Sequence, residues 1–136
     1  MPIASADADP DPAAVDACKQ FAAAINVAAT NYEDFAYATA GSGNQVDYAS
    51  PAVTSSNVTG RTALREAAAA AMGASGTPGL QPEIAGPMRS WSLHATKLLL
   101  VMGLRGGGDK LNSTATELNG DTRDAQMACA AAGTHA

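Results

Sequence analysis

The sequence predicts an all-α protein, an antiparallel up-and-down four-helix bundle stapled by one disulfide between its first and last helices. Three observations predict it. Apolar residues recur at alternating steps of three and four along long segments free of strand-like alternation. Alanine fills 32 of the 136 positions, so the core is real but thin, built by helices whose backbones approach closely. The two cysteines, Cys18 and Cys129, stand near opposite ends of the chain, where an even number of antiparallel helices brings them together. This length suits one domain, expected over residues 12–132, behind an acidic, disordered lead (residues 1–11) and before a flexible tail (residues 133–136).

The first helix is expected from Pro12 to about Ala40. Val15, Cys18, Ala22, Ile25, Ala29, Tyr32 and Ala36 have the seam spacing of a helix packed along a bundle, and Phe21, Ala28 and Phe35 widen the stripe on one side. Gly41-Ser42-Gly43-Asn44 ends it. A polar loop follows to Asn57, with Tyr48 exposed on it as a natural contact residue and a short turn near Pro51. Asn57 is expected to cap a second helix that runs to Gly73 or Gly76 through Ala67–Ala71, the strongest helix-forming run in the chain.

The third helix starts at Pro82 and runs to about Leu104, with a kink or restart expected at Gly86-Pro87. Its seam is Ile84, Met88, Trp91, Ala95, Leu98 and Met102. Gly106-Gly107-Gly108 closes it. Asp109 is expected to cap a fourth helix reaching about Ala132, with Leu111, Ala115, Leu118, Thr122, Ala125, Cys129 and Ala132 as its seam. Setting Cys18 opposite Cys129 pairs Ala22 with Ala125, Ile25 with Thr122, Ala29 with Leu118, Tyr32 with Ala115 and Ala36 with Leu111. Large faces small at the last three, which is how facing helices interdigitate. A bridge closing so long a loop adds roughly 4 to 5 kcal/mol in the chain-entropy model.

Composition narrows the function by exclusion. A net charge of −5 argues against nucleic acid as a partner, since phosphate binding needs a concentrated basic face. The longest good apolar run, Leu98 to Met102, is far too short to span a bilayer. Ala4-Ser5-Ala6 followed by Asp7-Ala8-Asp9-Pro10-Asp11-Pro12 has the form of a signal-peptidase site and the stretch just beyond it, with the basic and apolar parts of the signal missing. The expected location is therefore secreted or in the cell envelope, and the paired cysteines agree with that.

Trp91, His94 and Met88 fall within two turns of the third helix, and Tyr32 lies on the first. Together they suit an apolar gap holding a lipid-like molecule, or haem iron held by His94, Met88 or Tyr32. The competing reading makes Trp91 an ordinary core residue and His94, one position off the seam, a flank residue; no Cys-x-x-Cys-His attachment motif exists. Arg61 and Arg65, one turn apart, and Arg89 suit contact with an anion, although pairing with Asp34, Glu33 or Glu117 is the commoner use of such residues.

Catalytic readings fail. The only histidines are His94 and His135, no Gly-x-Ser-x-Gly elbow exists, and both cysteines are expected to be oxidised. Gly103–Lys110 lacks the Ser or Thr of a phosphate loop, and Asp7, Asp9 and Asp11 lack the glycine and glutamate of a calcium loop. No catalytic residue, metal or cofactor is expected. Asn112 and Asn119, a heptad apart, are expected to hydrogen-bond across to a neighbouring helix and fix register, with Asn26 and Asn31 opposite on the first helix.

The Ala-Ser-Ala-Asp start, Ala17-Cys18-Lys19-Gln20-Phe21, Gly60-Arg61-Thr62-Ala63-Leu64-Arg65-Glu66 and Gln126-Met127-Ala128-Cys129-Ala130 resemble the small exported helical proteins of mycobacteria and related actinobacteria. The resemblance implies envelope-associated factors, antigens, or carriers of haem or lipid, and carries no catalytic residue with it. The leading expectation is a non-enzymatic exported protein that binds an envelope component or partner protein through its surface. The alternative is a carrier of a small apolar ligand held between helices near Trp91 and His94.

Overall fold

The structure, a computed structural model, describes residues 10–136. The signal remnant expected at Ala4-Ser5-Ala6 lies outside the described residues, as does Asp7 to Asp9. Four helices follow in order: α1 (Pro12–Thr39), α2 (Pro51–Ser75), α3 (Pro82–Gly103) and α4 (Gly108–Ala131), with no strand among the described residues. They form the antiparallel four-helix bundle that the sequence predicts. Cys18 and Cys129 are bridged across α1 and α4, with their Cα atoms 6.1 Å apart.

Proline opens three of the helices, at Pro12, Pro51 and Pro82. Its fixed φ suits the first turn, where a missing N–H breaks no helical bond. Asp11 adds a side-chain cap by accepting from the Ala13 N–H at 3.2 Å. The same chemistry moves the start of α2. Asn57 does not cap it; α2 begins at Pro51, and Asn57 sits buried inside the helix, donating from Nδ2 to the Met102 carbonyl at 3.0 Å. α4 likewise begins at Gly108 rather than behind Asp109, whose N–H is accepted by Asn44 Oδ1 at 3.0 Å from the α1–α2 loop.

α3 runs through Pro87 without a break. The carbonyl that Pro87 leaves without its helical donor belongs to Glu83, an exposed residue, so the helix does not restart there. The glycine run after α3 has a steric purpose. A Cβ on Gly108 would collide with the Gly43 carbonyl, and one on Gly107 with Asn44. Two loops meet there with no room for side chains.

The core stripe of α1 is Ala14, Ala17, Cys18, Phe21, Ala24, Ala28 and Phe35. The helix is thus rotated from its expected seam toward the flank that carries the phenylalanines. Val15, Ala29 and Ala36 are exposed, and Ala22, Ile25 and Tyr32 are half-buried. Size decides this: burying Phe21 and Phe35 removes far more apolar surface from water than burying alanines. Phe21 meets Trp91 edge to face with ring centroids 5.5 Å apart.

α1 packs along α2, α2 along α3 and α3 along α4, but α1 and α4 touch over only a short stretch. The bundle is closed on three sides. No described helix is long and apolar enough to cross a membrane.

Candidate functional site

The open side is a cleft. It encloses about 480 Å³ with a mainly apolar lining, within the roughly 300 to 1,000 Å³ of small-molecule sites. Ala22, Ile25, Ala29 and Tyr32 of α1 form one wall; Ala115, Leu118 and Thr122 of α4 form the other. Leu64 of α2 with Trp91 and Leu98 of α3 make the floor, and Asn26 and Asn119 add amides from the two walls. The expected antiparallel register thus survives in altered form. Ile25, Ala29 and Tyr32 stand on one wall and Thr122, Leu118 and Ala115 on the other, but they border a space instead of interdigitating.

Both ends of the cleft are fixed. The Cys18–Cys129 bridge ties α1 to α4 at one end. At the other, Gly43 and Asn44 press against Gly107 and Gly108. Between these two ties five of the ten seam positions of α1 and α4 are alanine, too small to meet across the gap. The four-residue tail turns back, its Thr134 N–H donating to the Cys129 carbonyl at 3.0 Å, and Ala136 reaches the cleft. The tail expected to be flexible is packed against the core at that point.

The polar groups of the cleft are few and unequally engaged. Trp91, 2% exposed, donates from Nε1 to Thr122 Oγ1 at 2.9 Å, and Thr122 donates on to the Leu118 carbonyl at 3.1 Å. Those groups are satisfied. The Tyr32 hydroxyl bonds no group of the described residues, yet no buried polar side-chain atom is left unpaired, so the hydroxyl is still reachable from outside. Burial pushes the Tyr32 phenol up to about 12, with Tyr48 adding to the shift. Among the described residues no Asp, Glu, Lys, Arg or His side chain lines the cleft.

Of the four residues expected around a ligand, Trp91 and Tyr32 line this space. Met88 and His94 do not. Met88 is fully buried in the core. His94 faces away, into a polar strap between α3 and α4: its Nδ1 pairs with Asp121 Oδ2, and its Nε2 lies 3.5 Å from Glu117 Oε2. Ser90 donates to Asp121 Oδ1 at 2.8 Å, and Lys97 donates to Glu117 Oε1 at 2.9 Å. That hydrogen bond is the main reason the Glu117 carboxyl sits below its usual range. With both imidazole nitrogens facing carboxylates, His94 offers no donor to haem iron in the cleft. The strap was legible in principle, since Ser90, His94 and Lys97 share one face of α3 while Glu117 and Asp121 share one face of α4.

The arginines do not gather. Arg61 donates from Nε to Asn57 Oδ1 at 2.6 Å and lies beside Gly103, in a small recess of about 150 Å³ shared with Tyr48 and Arg105. Arg89 is about 21 Å from Gly103 along the α3 axis, at about 1.5 Å per residue. Arg65 is exposed. The expected pairing with Asp34, Glu33 or Glu117 is also not formed, because among the described residues the ion pairs belong to His94 and Lys97. Tyr48, expected as an exposed contact, donates its hydroxyl to the Gly106 carbonyl at 2.6 Å and packs beside Phe35. Asn112 and Asn119 are exposed, so they are not buried register pins, and Asn31 donates to the Val27 carbonyl of its own helix at 2.8 Å.

Fold and site together define a disulfide-stapled four-helix bundle with a mainly apolar cleft between its first and last helices. No curated protein and no solved structure matches the chain. The chain belongs to the Rv2240c four-helix bundle domain family, whose model matches residues 3–130. The family carries a mycobacterial name, in keeping with the resemblance drawn from the sequence.

Proposed function

We propose that this protein is a non-catalytic binding protein for a small, mainly apolar ligand, held in the cleft between α1 and α4, and that it works outside the cytoplasm. The observation that supports the first part is the cleft itself: about 480 Å³ bordered by alanine, leucine, isoleucine and tryptophan. A gap left only by poor packing would be closed by a modest shift of α1 toward α4. Here α1 and α4 are joined closely at both ends, by the Cys18–Cys129 bridge and by the approach of Gly43 to Gly108, and remain parted around the cleft between those ties. The disulfide supports export, because such bridges are rare in reducing compartments.

This reading takes precedence over contact through the loop after α1. That loop shrinks to the residues before Pro51, and its tyrosine is engaged with Gly106. An envelope component remains a fitting source of the ligand, since apolar molecules abound there.

Native mass spectrometry of the protein recovered from its host's culture medium, set beside the denatured mass, tests both parts. The expected result is an oxidised chain carrying a stoichiometric mass that is lost on denaturation. Recovery only from the cell interior would overturn export. A bare chain that takes up no apolar molecule from a total lipid extract would overturn the carrier role.

A further inference from the structure

Among the described residues the cleft combines a mainly apolar lining, no charged side chain and one hydroxyl without a hydrogen-bond partner, on Tyr32. Each feature restricts the ligand. A carboxylate or phosphate brought into this space would lose its water and find no Lys, Arg or His to pair with, which is costly. The chain's net charge of −5 adds a general repulsion of anions. An ammonium or guanidinium group would find no Asp or Glu side chain among the described lining residues.

A wholly apolar ligand fits the walls but leaves the Tyr32 O–H covered and without an acceptor, which is unfavourable. The other polar groups do not compete for a ligand in the interior. The indole N–H of Trp91 is taken by Thr122, and the Thr122 hydroxyl is taken by Leu118. Asn26 and Asn119 lie on exposed positions, where water serves them. Burial keeps the phenol protonated throughout the physiological range, so it stays a donor.

Resting on the cleft as the binding site, we infer that the natural ligand is an uncharged lipid-like molecule with one hydrogen-bond acceptor, an ester, ketone or amide oxygen, which lodges on the Tyr32 hydroxyl while the hydrocarbon lies against Trp91, Leu98 and Leu118. Fatty-acid anions and phospholipids are selected against. Tyr32 is then the specificity-determining residue, and the alanines on the two walls supply the space.

Three probes of similar length separate the possibilities: methyl decanoate, decanoate and decane, titrated into the oxidised full chain at neutral pH. Trp91, the single tryptophan, lines the floor and reports occupancy by its fluorescence. The ester is expected to bind about tenfold more tightly than the carboxylate. In Tyr32→Phe the ester should weaken about fivefold, bringing its affinity toward that of decane. Equal or tighter binding of decanoate would overturn the inference while leaving the cleft as the site. So would an ester-to-decane ratio that Tyr32→Phe leaves unchanged. If none of the three probes alters Trp91 emission or protects the chain against thermal unfolding, the cleft itself is not a ligand site and both readings fall.

Discussion

Tyr32 carries its consequence in its ionisation as well as its position. Its folded-state pKa, pushed up to about 12 by burial, lies above the value of 10.0 expected for an unfolded chain. Below pH 10 both states keep the proton, so this group's contribution to stability is fully present. As pH rises through 10 toward 12 the unfolded chain ionises first, and that contribution is lost, amounting to about 2 kcal/mol. Denaturant melts at several alkaline pH values are expected to show the fall, and Tyr32→Phe should remove most of it. The smaller fall that remains in the variant belongs to Tyr48, whose phenol is also raised by burial. At the same scale, Asn57 shows why a residue type is a poor guide to its role. Asparagine caps helices well, yet here its amide bridges α2 to Met102 and orients Arg61.

At the scale of elements, the unequal packing of the helices follows from where large side chains fall. On α1, Phe21 and Phe35 turn the helix toward the interior, which leaves Ala22, Ile25, Ala29 and Tyr32 facing α4 across the cleft. The bridge therefore supports an interface that packing alone barely holds. Replacing both cysteines by serine should lower stability by about 3 to 5 kcal/mol, measured by urea unfolding of the oxidised parent and the variant. A loss below 1 kcal/mol would mean that α1 and α4 associate without it. The helix starts show what is legible at this scale. Prolines at 12, 51 and 82 mark three of them, and at the second the Asn57 cap signal competes with the proline from inside the helix. Pro87 worked the other way, since a proline read as an interruption is tolerated where the orphaned carbonyl is exposed.

For the whole molecule, the cleft is the consequence of a bundle closed on three sides and tied at both ends of the fourth. Filling it should separate its effect on binding from its effect on folding. Ala29→Leu places a larger side chain on the α1 wall from an exposed backbone position, so it is expected to change stability by less than about 1 kcal/mol. The same variant should lose most of its affinity for methyl decanoate, followed through Trp91 emission. Retained affinity would move the binding site elsewhere. Of the candidate site, the sequence marked Trp91 and Tyr32 by type and helix. It could not mark Thr122 as the partner of the indole, nor Ala29 and Ala115 as walls, because an alanine at a seam position reads as packed core. The periodicity reports which face of a helix is apolar, whether that face meets another helix or an empty space.

The sequence by itself determined four helices, their order, the antiparallel bundle and the cysteine pair, because local periodicity, proline and glycine positions and an even helix count act over short range or through simple topology. The tertiary structure alone decided the rotation of α1 about its axis, the outward placement of His94, the dispersal of the arginines and the opening between α1 and α4. Each depends on competition among side chains from different helices for the same volume. That competition is settled by size and hydrogen-bond satisfaction in three dimensions, and no one-dimensional pattern records which residue loses.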